Sequence, residues 1–217
     1  MNAKAVLIWV GVIAVTIGAI VGLYFLTSNQ GGNSQNSGLI LSKPVSARDW
    51  RKGPDGAKAV LVEYGDFECP ACAAYESMLS QLQNEFGGQL QIVFREFPLA
   101  QHQNARLAAQ AAEAAGIQGK FWEMHDKLYQ TQKDWSNLSS SQALTTFKNY
   151  AQVLGLNVSK LTSDMNSPAV TAKIDDDVSS GNLSGIQGTP TFFLNGKDAG
   201  YPQSYDEFKT EIQKVLQ

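Results

Sequence analysis

Two hydrophobic rhythms divide the chain. Ala5 to Leu26 reads AVLIWVGVIAVTIGAIVGLYFL, 22 residues without a charged or amide side chain. As a helix such a run is roughly 33 Å long, enough to cross a hydrocarbon core of about 30 Å. A cleaved signal peptide has an apolar run of about 7–15 residues. The longer run here ends in Tyr24-Phe25, which suits an interfacial aromatic belt, and predicts a retained transmembrane anchor over residues 1–26. No cysteine follows the run to take a lipid. Residues 27–38, TSNQGGNSQNSG, form a flexible polar linker. Lys4 precedes the span and the next basic residue is Lys43, so the positive-inside rule places the start in the cytoplasm and everything after the span outside.

Beyond the linker the rhythm shortens. Ala59 to Tyr64 (AVLVEY) is a nearly continuous apolar run, the pattern of a strand buried on both faces. From Pro70 a helical period takes over, with Tyr75, Met78, Leu79, Leu82 and Phe86 on one face until Gly87-Gly88. Leu90 to Phe97 (LQIVFREF) is the next strand. Strand, helix and strand with short joints make a βαβ unit, which implies a parallel pair. Helical patterns follow over Gln103–Ala115, which holds seven alanines and should stop at Gly116, then over Lys120–Gln130, Gln142–Leu154 and parts of Ser159–Val178. A strand returns at Thr191 to Leu194, then a turn at Asn195-Gly196. A last helix, behind a Ser204-x-x-Glu207 capping box, should bury Phe208, Ile212, Val215 and Leu216. The prediction is an α/β domain in which a β-rich frame, residues 39–97 and 186–217, brackets a helical insertion over 98–185.

Composition narrows the function. Two hundred and seventeen residues leave room for one domain with a sizeable insertion. Only Lys4 precedes residue 27, so the remainder carries 16 of the 17 basic and all 20 acidic side chains, a net charge of −4. That balance argues against a nucleic-acid binder, which needs a basic patch. Cysteine occurs only at Cys69 and Cys72, too few for a disulfide-stapled scaffold and half of a four-cysteine zinc site.

Cys69-Pro70-Ala71-Cys72 sits where a strand gives way to a helix. A helix start offers unpaired N–H groups and a partial positive charge, which stabilise the attacking thiolate. Pro70 fits the first turn, where its missing N–H is not needed. Cys69 should lie at the exposed cap as the nucleophile, with Cys72 one turn inside, more buried, as the resolving partner. Ala71 adds neither charge nor hydrogen bond, so the motif alone leaves the direction of exchange open. A zinc site would need His102 and His125, both in segments that read as helical far along the chain. A structural disulfide closing so short a loop would constrain little of the unfolded chain. A second feature is Gly188-Thr189-Pro190-Thr191, where proline directly precedes a strand. A cis Thr189–Pro190 bond would present the main chain of Thr189 to a partner.

Other residues read as structural. His102 and His125 read as packed histidines on helical faces, Phe121 and Trp122 as core, and Asp175-Asp176-Asp177 as a solvated run. Asn137, Asn157 and Asn182 open N-x-Ser sequons that matter only in a glycosylating host.

Four stretches together resemble the DsbA-like thiol–disulfide oxidoreductases. They are Glu63-Tyr-Gly-Asp-Phe-Glu-Cys-Pro-Ala-Cys72, Arg95-Glu-Phe-Pro-Leu99 followed by His102, Gln118-Gly-Lys-Phe-Trp-Glu-Met-His125, and Gly188-Thr-Pro-Thr-Phe-Phe193. They fall in order across most of Ala59 to Leu216. The resemblance implies a thioredoxin fold with an inserted helical domain and a cis Pro190 facing the Cys69–Cys72 pair. It also implies that the loop at Thr189 pairs with substrate backbone and that Glu63 assists proton transfer at Cys72. Many relatives carry histidine where Ala71 stands, a departure that bears on how oxidising the pair is.

The expected function is an extracytoplasmic, membrane-anchored enzyme that introduces disulfides into reduced exported proteins. It needs no bound cofactor and no metal. The resemblance suggests a quinone-linked membrane thiol oxidase as the reoxidant. The alternatives are a reductase or isomerase of the same fold, and a non-catalytic binding or chaperone module whose cysteine pair is structural. No separate dimerisation segment is visible between linker and fold, which weakens the isomerase reading.

Overall fold

The chain runs through β1 (Trp50–Lys52), β2 (Ala59–Gly65), α1 (Pro70–Phe86) and β3 (Leu90–Glu96). The insertion follows as α2 (Ala105–Ile117), α3 (Phe121–Gln130), α4 (Gln132–Trp135), α5 (Ser140–Val153), α6 (Val158–Met165) and α7 (Pro168–Leu183). The chain then closes with β4 (Thr191–Leu194), β5 (Lys197–Asp198) and α8 (Tyr205–Leu216). The structure is a computed structural model and describes residues 38–217. The anchor expected at 1–26 and nearly all of the linker lie outside the described residues. No helix among the described residues is long and apolar enough to cross a membrane.

The five strands form one mixed sheet in the order β1-β3-β2-β4-β5. β2 and β3 are parallel, with Leu61 opposite Ile92, as the βαβ reading requires. β1 pairs antiparallel with β3, β4 antiparallel with β2, and β5 antiparallel with β4. Asn195 and Gly196 both take positive φ, 49° and 81°, which matches the tight hairpin turn that asparagine-glycine favours.

Strand alternation assigns the layers. Leu61 and Ile92 pack with Leu79 and Leu82 of α1 and Phe208 and Ile212 of α8. Val62, Tyr64 and Val93 point the other way, with Phe97, Phe193 and Val178 of α7. Each such large side chain, fully buried, contributes about 1.5–3 kcal/mol. Glu63 shares the face of Leu61 and so points toward α1. The insertion has its own core, built on the alanine-lined α2 with Trp135, Phe147 and Leu161, and continuous through Phe67 and Phe94 with the frame.

Several local expectations are corrected. α2 starts at Ala105 rather than Gln103 and runs through Gly116 to Ile117. A Cβ at Gly116 would lie 2.3 Å from the Trp50 ring, so this glycine admits a side chain from β1 rather than ending a helix. The helical parts of Ser159–Val178 are two helices, the second running on to Leu183, and Ser167 caps it with Pro168 in its first turn. The Glu207 carboxylate accepts from Gln203 N at 2.7 Å rather than from Ser204, so the last capping box is only half formed. Val215 and Leu216 are partly rather than fully buried. Asp175 and Asp176 are surface partners of Arg106 and Lys43, but Asp177 is not solvated. It is buried, paired with Lys173, and accepts the Glu96 N–H at 3.0 Å. Arg95, read as part of a strand and of a matching stretch, is buried. It bonds Asp49 at 2.8 Å, Tyr64 Oη at 2.9 Å and the Lys43 and Pro44 carbonyls, which ties the incoming segment to the sheet.

Candidate active site

Cys69 is the N-cap of α1, with φ −74° and ψ 119°, and Pro70 is the first helical residue. The Cys69 N–H donates to Asp66 O at 3.0 Å, and the Cys69 carbonyl accepts from Ala73 N at 3.2 Å. The cap position matches the sequence expectation, but the exposure does not. Cys69 is only 7% exposed, because the loop before β4 lies over it. Its Sγ lies 3.3 Å from the Thr189 carbonyl oxygen. Both cysteines are free thiols.

The two sulfurs have opposite electrostatics. The Cys69 thiol is lowered from 9.0 to about 5 by a hydrogen bond from Cys72, against the cost of burial, then by the Thr189 side chain and the backbone N–H groups of Cys72 and Ala71. The last two are the unpaired amides of a helix start. Cys72 is 1% exposed, and burial pushes its thiol well above the ordinary range, reinforced by the Cys69 and Glu63 charges. One sulfur is thereby an anion near neutral pH and the other a neutral donor to it.

The Thr189–Pro190 bond is cis, and Thr191 Oγ1 donates back to Gly188 O at 2.8 Å. Glu63, in β2, is 1% exposed and its Oε1 has no protein partner. Burial pushes its carboxyl well up, and the nearby Glu76 and Cys69 charges add to that. The fold therefore brings Cys69, Pro70, Ala71, Cys72, Thr189, Pro190 and Glu63 into one neighbourhood.

Sequence reasoning missed what holds that neighbourhood in place. Gln132 of α4 is buried, and its Nε2 donates to both Phe67 O at 2.8 Å and Cys69 O at 2.9 Å. Asp66 Oδ1 accepts Glu68 N at 2.7 Å, and its Oδ2 accepts Leu99 N at 2.9 Å and contacts His102 Nδ1 at 2.7 Å. His102 thus lies in the turn before α2, not on a helical face. Glu68 accepts the Asn104 N–H at 2.5 Å. Gly65 must be glycine, since a Cβ there would meet the Phe94 ring at 2.4 Å. The contacts to Gln132, Leu99, His102 and Asn104 join the cysteine loop to the insertion, so no local pattern could announce them.

The sequence model of the thioredoxin family matches residues 47–214. The chain belongs to the thioredoxin family. It shares its fold with solved DsbA proteins. Among solved structures it is similar to oxidised BdbD from Bacillus subtilis, at 25% identity and a TM-score of 0.72, covering 82% of this chain and 98% of that one. Wolbachia pipientis alpha-DsbA1 shares the fold at 21% identity and a TM-score of 0.70, over 84% of this chain and 96% of that one. Among curated proteins the chain is similar to Na(+)/H(+) antiporter NhaA 1 of Salinispora arenicola, 40% identical over 75% of this chain but 24% of that protein. NhaA of Herminiimonas arsenicoxydans is 34% identical over 84% of this chain and 30% of its own length. The thioredoxin-family chain spans about a quarter of the length of the curated relatives it matches.

Proposed function

We propose that this protein is a thiol–disulfide oxidoreductase of the DsbA type that introduces disulfides into reduced exported proteins on the extracytoplasmic side of a membrane, tethered by residues 1–26. The observation that carries the reading is the asymmetry of the pair. Cys69 sits at a helix start against Thr189 with its thiol lowered to about 5, and Cys72 is sealed below it. A stabilised thiolate favours the reduced pair and so makes the disulfide a stronger oxidant.

The chemistry runs in two exchanges. A substrate thiolate attacks Cys69 of the oxidised pair, the S–S bond breaks, and its electron pair leaves on Cys72. Glu63 supplies the proton that the buried Cys72 sulfur needs. A second substrate thiolate then attacks the substrate sulfur of the mixed disulfide and expels Cys69 as a thiolate. The substrate has lost two electrons, and the pair has gained them. The main chain at Thr189, beside Pro190, holds the substrate strand. A membrane thiol oxidase, of the quinone-linked kind suggested by the DsbA-like resemblance, takes the two electrons back.

The test is trapping. In the full-length chain, Cys72→Ser should accumulate mixed disulfides at Cys69 with exported proteins. The absence of adducts would remove the enzymatic reading. A reduction potential measured against glutathione separates oxidase from reductase, and a value near that of thioredoxin, about −270 mV, would favour the reductase.

A further inference from the structure

Three buried polar atoms converge on one small cavity. Glu63 Oε1, Gln83 Oε1 and His125 Nε2 each lack a protein hydrogen-bond partner, and their residues line a cavity of about 10 Å³ between β2, α1 and α3. A cavity of roughly 10–15 Å³ with two to four polar partners is what a single buried water requires. The donors and acceptors also fit. His125 Nδ1 lies 2.9 Å from Asp126 Oδ1, so the ring proton belongs on Nδ1 and Nε2 offers a lone pair. A protonated Glu63 donates to the water, which donates in turn to Gln83 Oε1 and His125 Nε2.

His125 also connects this cavity to the surface. Its Nε2 is 4.0 Å from Glu76 Oε2. Glu76 and Asp126 line the adjoining open pocket of about 330 Å³. The ionisable groups around the imidazole are Glu63 from β2, Glu76 from α1, Asp126 and Tyr129 from its own helix α3, and Lys52 from β1. The Lys52 Nζ is 4.0 Å from Asp126 Oδ2. The ring itself is fixed by Phe94 at 4.8 Å, Tyr129 at 5.0 Å and Trp122 at 5.0 Å between centroids.

We propose that His125, read from sequence as a packing residue, holds one water against Glu63 and relays through it the proton that Glu63 and Cys72 exchange with solvent. The inference rests on the proposed role of Glu63. During the first exchange Glu63 gives its proton to the departing Cys72 sulfur. Solvent beside Glu76 first protonates His125 at Nε2, and that proton passes to the water as the water gives one to Glu63, which returns the imidazole to its neutral form. Reoxidation runs the same protons outward. His125 acts through Glu63 and is a positioning and relay residue rather than one that touches the sulfurs.

The experiment uses the oxidised full-length chain and a reduced, unfolded protein, followed in single turnovers in H2O and D2O. His125→Gln keeps a hydrogen-bonding group on the cavity but does not ionise near neutral pH. It should slow exchange roughly tenfold with a larger solvent isotope effect. The equilibrium potential and Tm should not move, because a relay changes the rate and not the end states. A wild-type rate in His125→Gln beside a slow Glu63→Gln overturns the inference and leaves the role of Glu63 standing. Wild-type rates in both variants overturn both. A slow His125→Gln with a shifted potential or lowered Tm assigns His125 a structural role and also overturns the inference.

Discussion

The charge state of Cys69 makes a quantitative prediction about how the redox potential responds to pH. The perturbation is pH itself, between 6 and 8, applied to the full-length chain in glutathione buffers. The Cys69 thiol is lowered from 9.0 to about 5, whereas burial holds Cys72 protonated well above the ordinary range. A depressed pKa stabilises the reduced fold fully above the ordinary thiol range, and that gain disappears as pH falls through about 5. At pH 7 the reduced pair therefore gains about 2.7 kcal/mol relative to an unperturbed thiol, equivalent to about 60 mV in the oxidising direction. Reducing the disulfide at this pH takes up two electrons but only one proton, on Cys72. The potential should then fall by about 30 mV per pH unit, not the roughly 59 mV expected when both thiols are protonated. The fraction reduced is read by alkylation at each glutathione ratio, and thiolate absorbance near 240 nm reports Cys69 directly. A slope near 59 mV per unit, with no thiolate absorbance below pH 7, would refute this account of Cys69. Cys72→Ala, which removes the largest stabilising hydrogen bond, should shift the absorbance midpoint upward.

Three further predictions concern what holds the fold and the site within it. Gln132→Leu leaves the Phe67 carbonyl without its side-chain donor and should cost about 1–3 kcal/mol, read as a lower midpoint in urea; no change would remove its role as a clamp. Asp49→Asn leaves Arg95 buried without its anionic partner, and a loss of about 3–5 kcal/mol is expected by thermal unfolding. Gly116→Ala forces a methyl group against the Trp50 ring and should cost about 1–3 kcal/mol, whereas a stabilised variant would show that β1 can give way.

The sequence and the structure agree where a period was long enough to read. The switch from the apolar run at Ala59 to the helical spacing after Pro70 announces β2, α1 and β3, because a strand buried on both faces and a one-faced helix leave different spacings. β1 and β5, three and two residues long, have no period to show. α4 is four residues long and equally silent, yet it carries Gln132, which bonds the Cys69 carbonyl. The cysteines and the Thr189–Pro190 turn were legible because their chemistry is local. Asp66, Gln132 and His102 were not, since each acts on the cysteine loop only after the insertion has folded back on it. Asp177 shows the same limit in reverse. A run of three acids looks solvated until α7 turns one of them inward to Lys173 and the Glu96 N–H.

One measurement bears most directly on the proposed function. Oxidised full-length chain is mixed with an equimolar reduced protein carrying two cysteines, and the thiols of both are counted by alkylation after quenching in acid. The account predicts that the substrate gains one disulfide as Cys69 and Cys72 become thiols, through a transient adduct at Cys69. A pair that stays oxidised while the substrate stays reduced would contradict it.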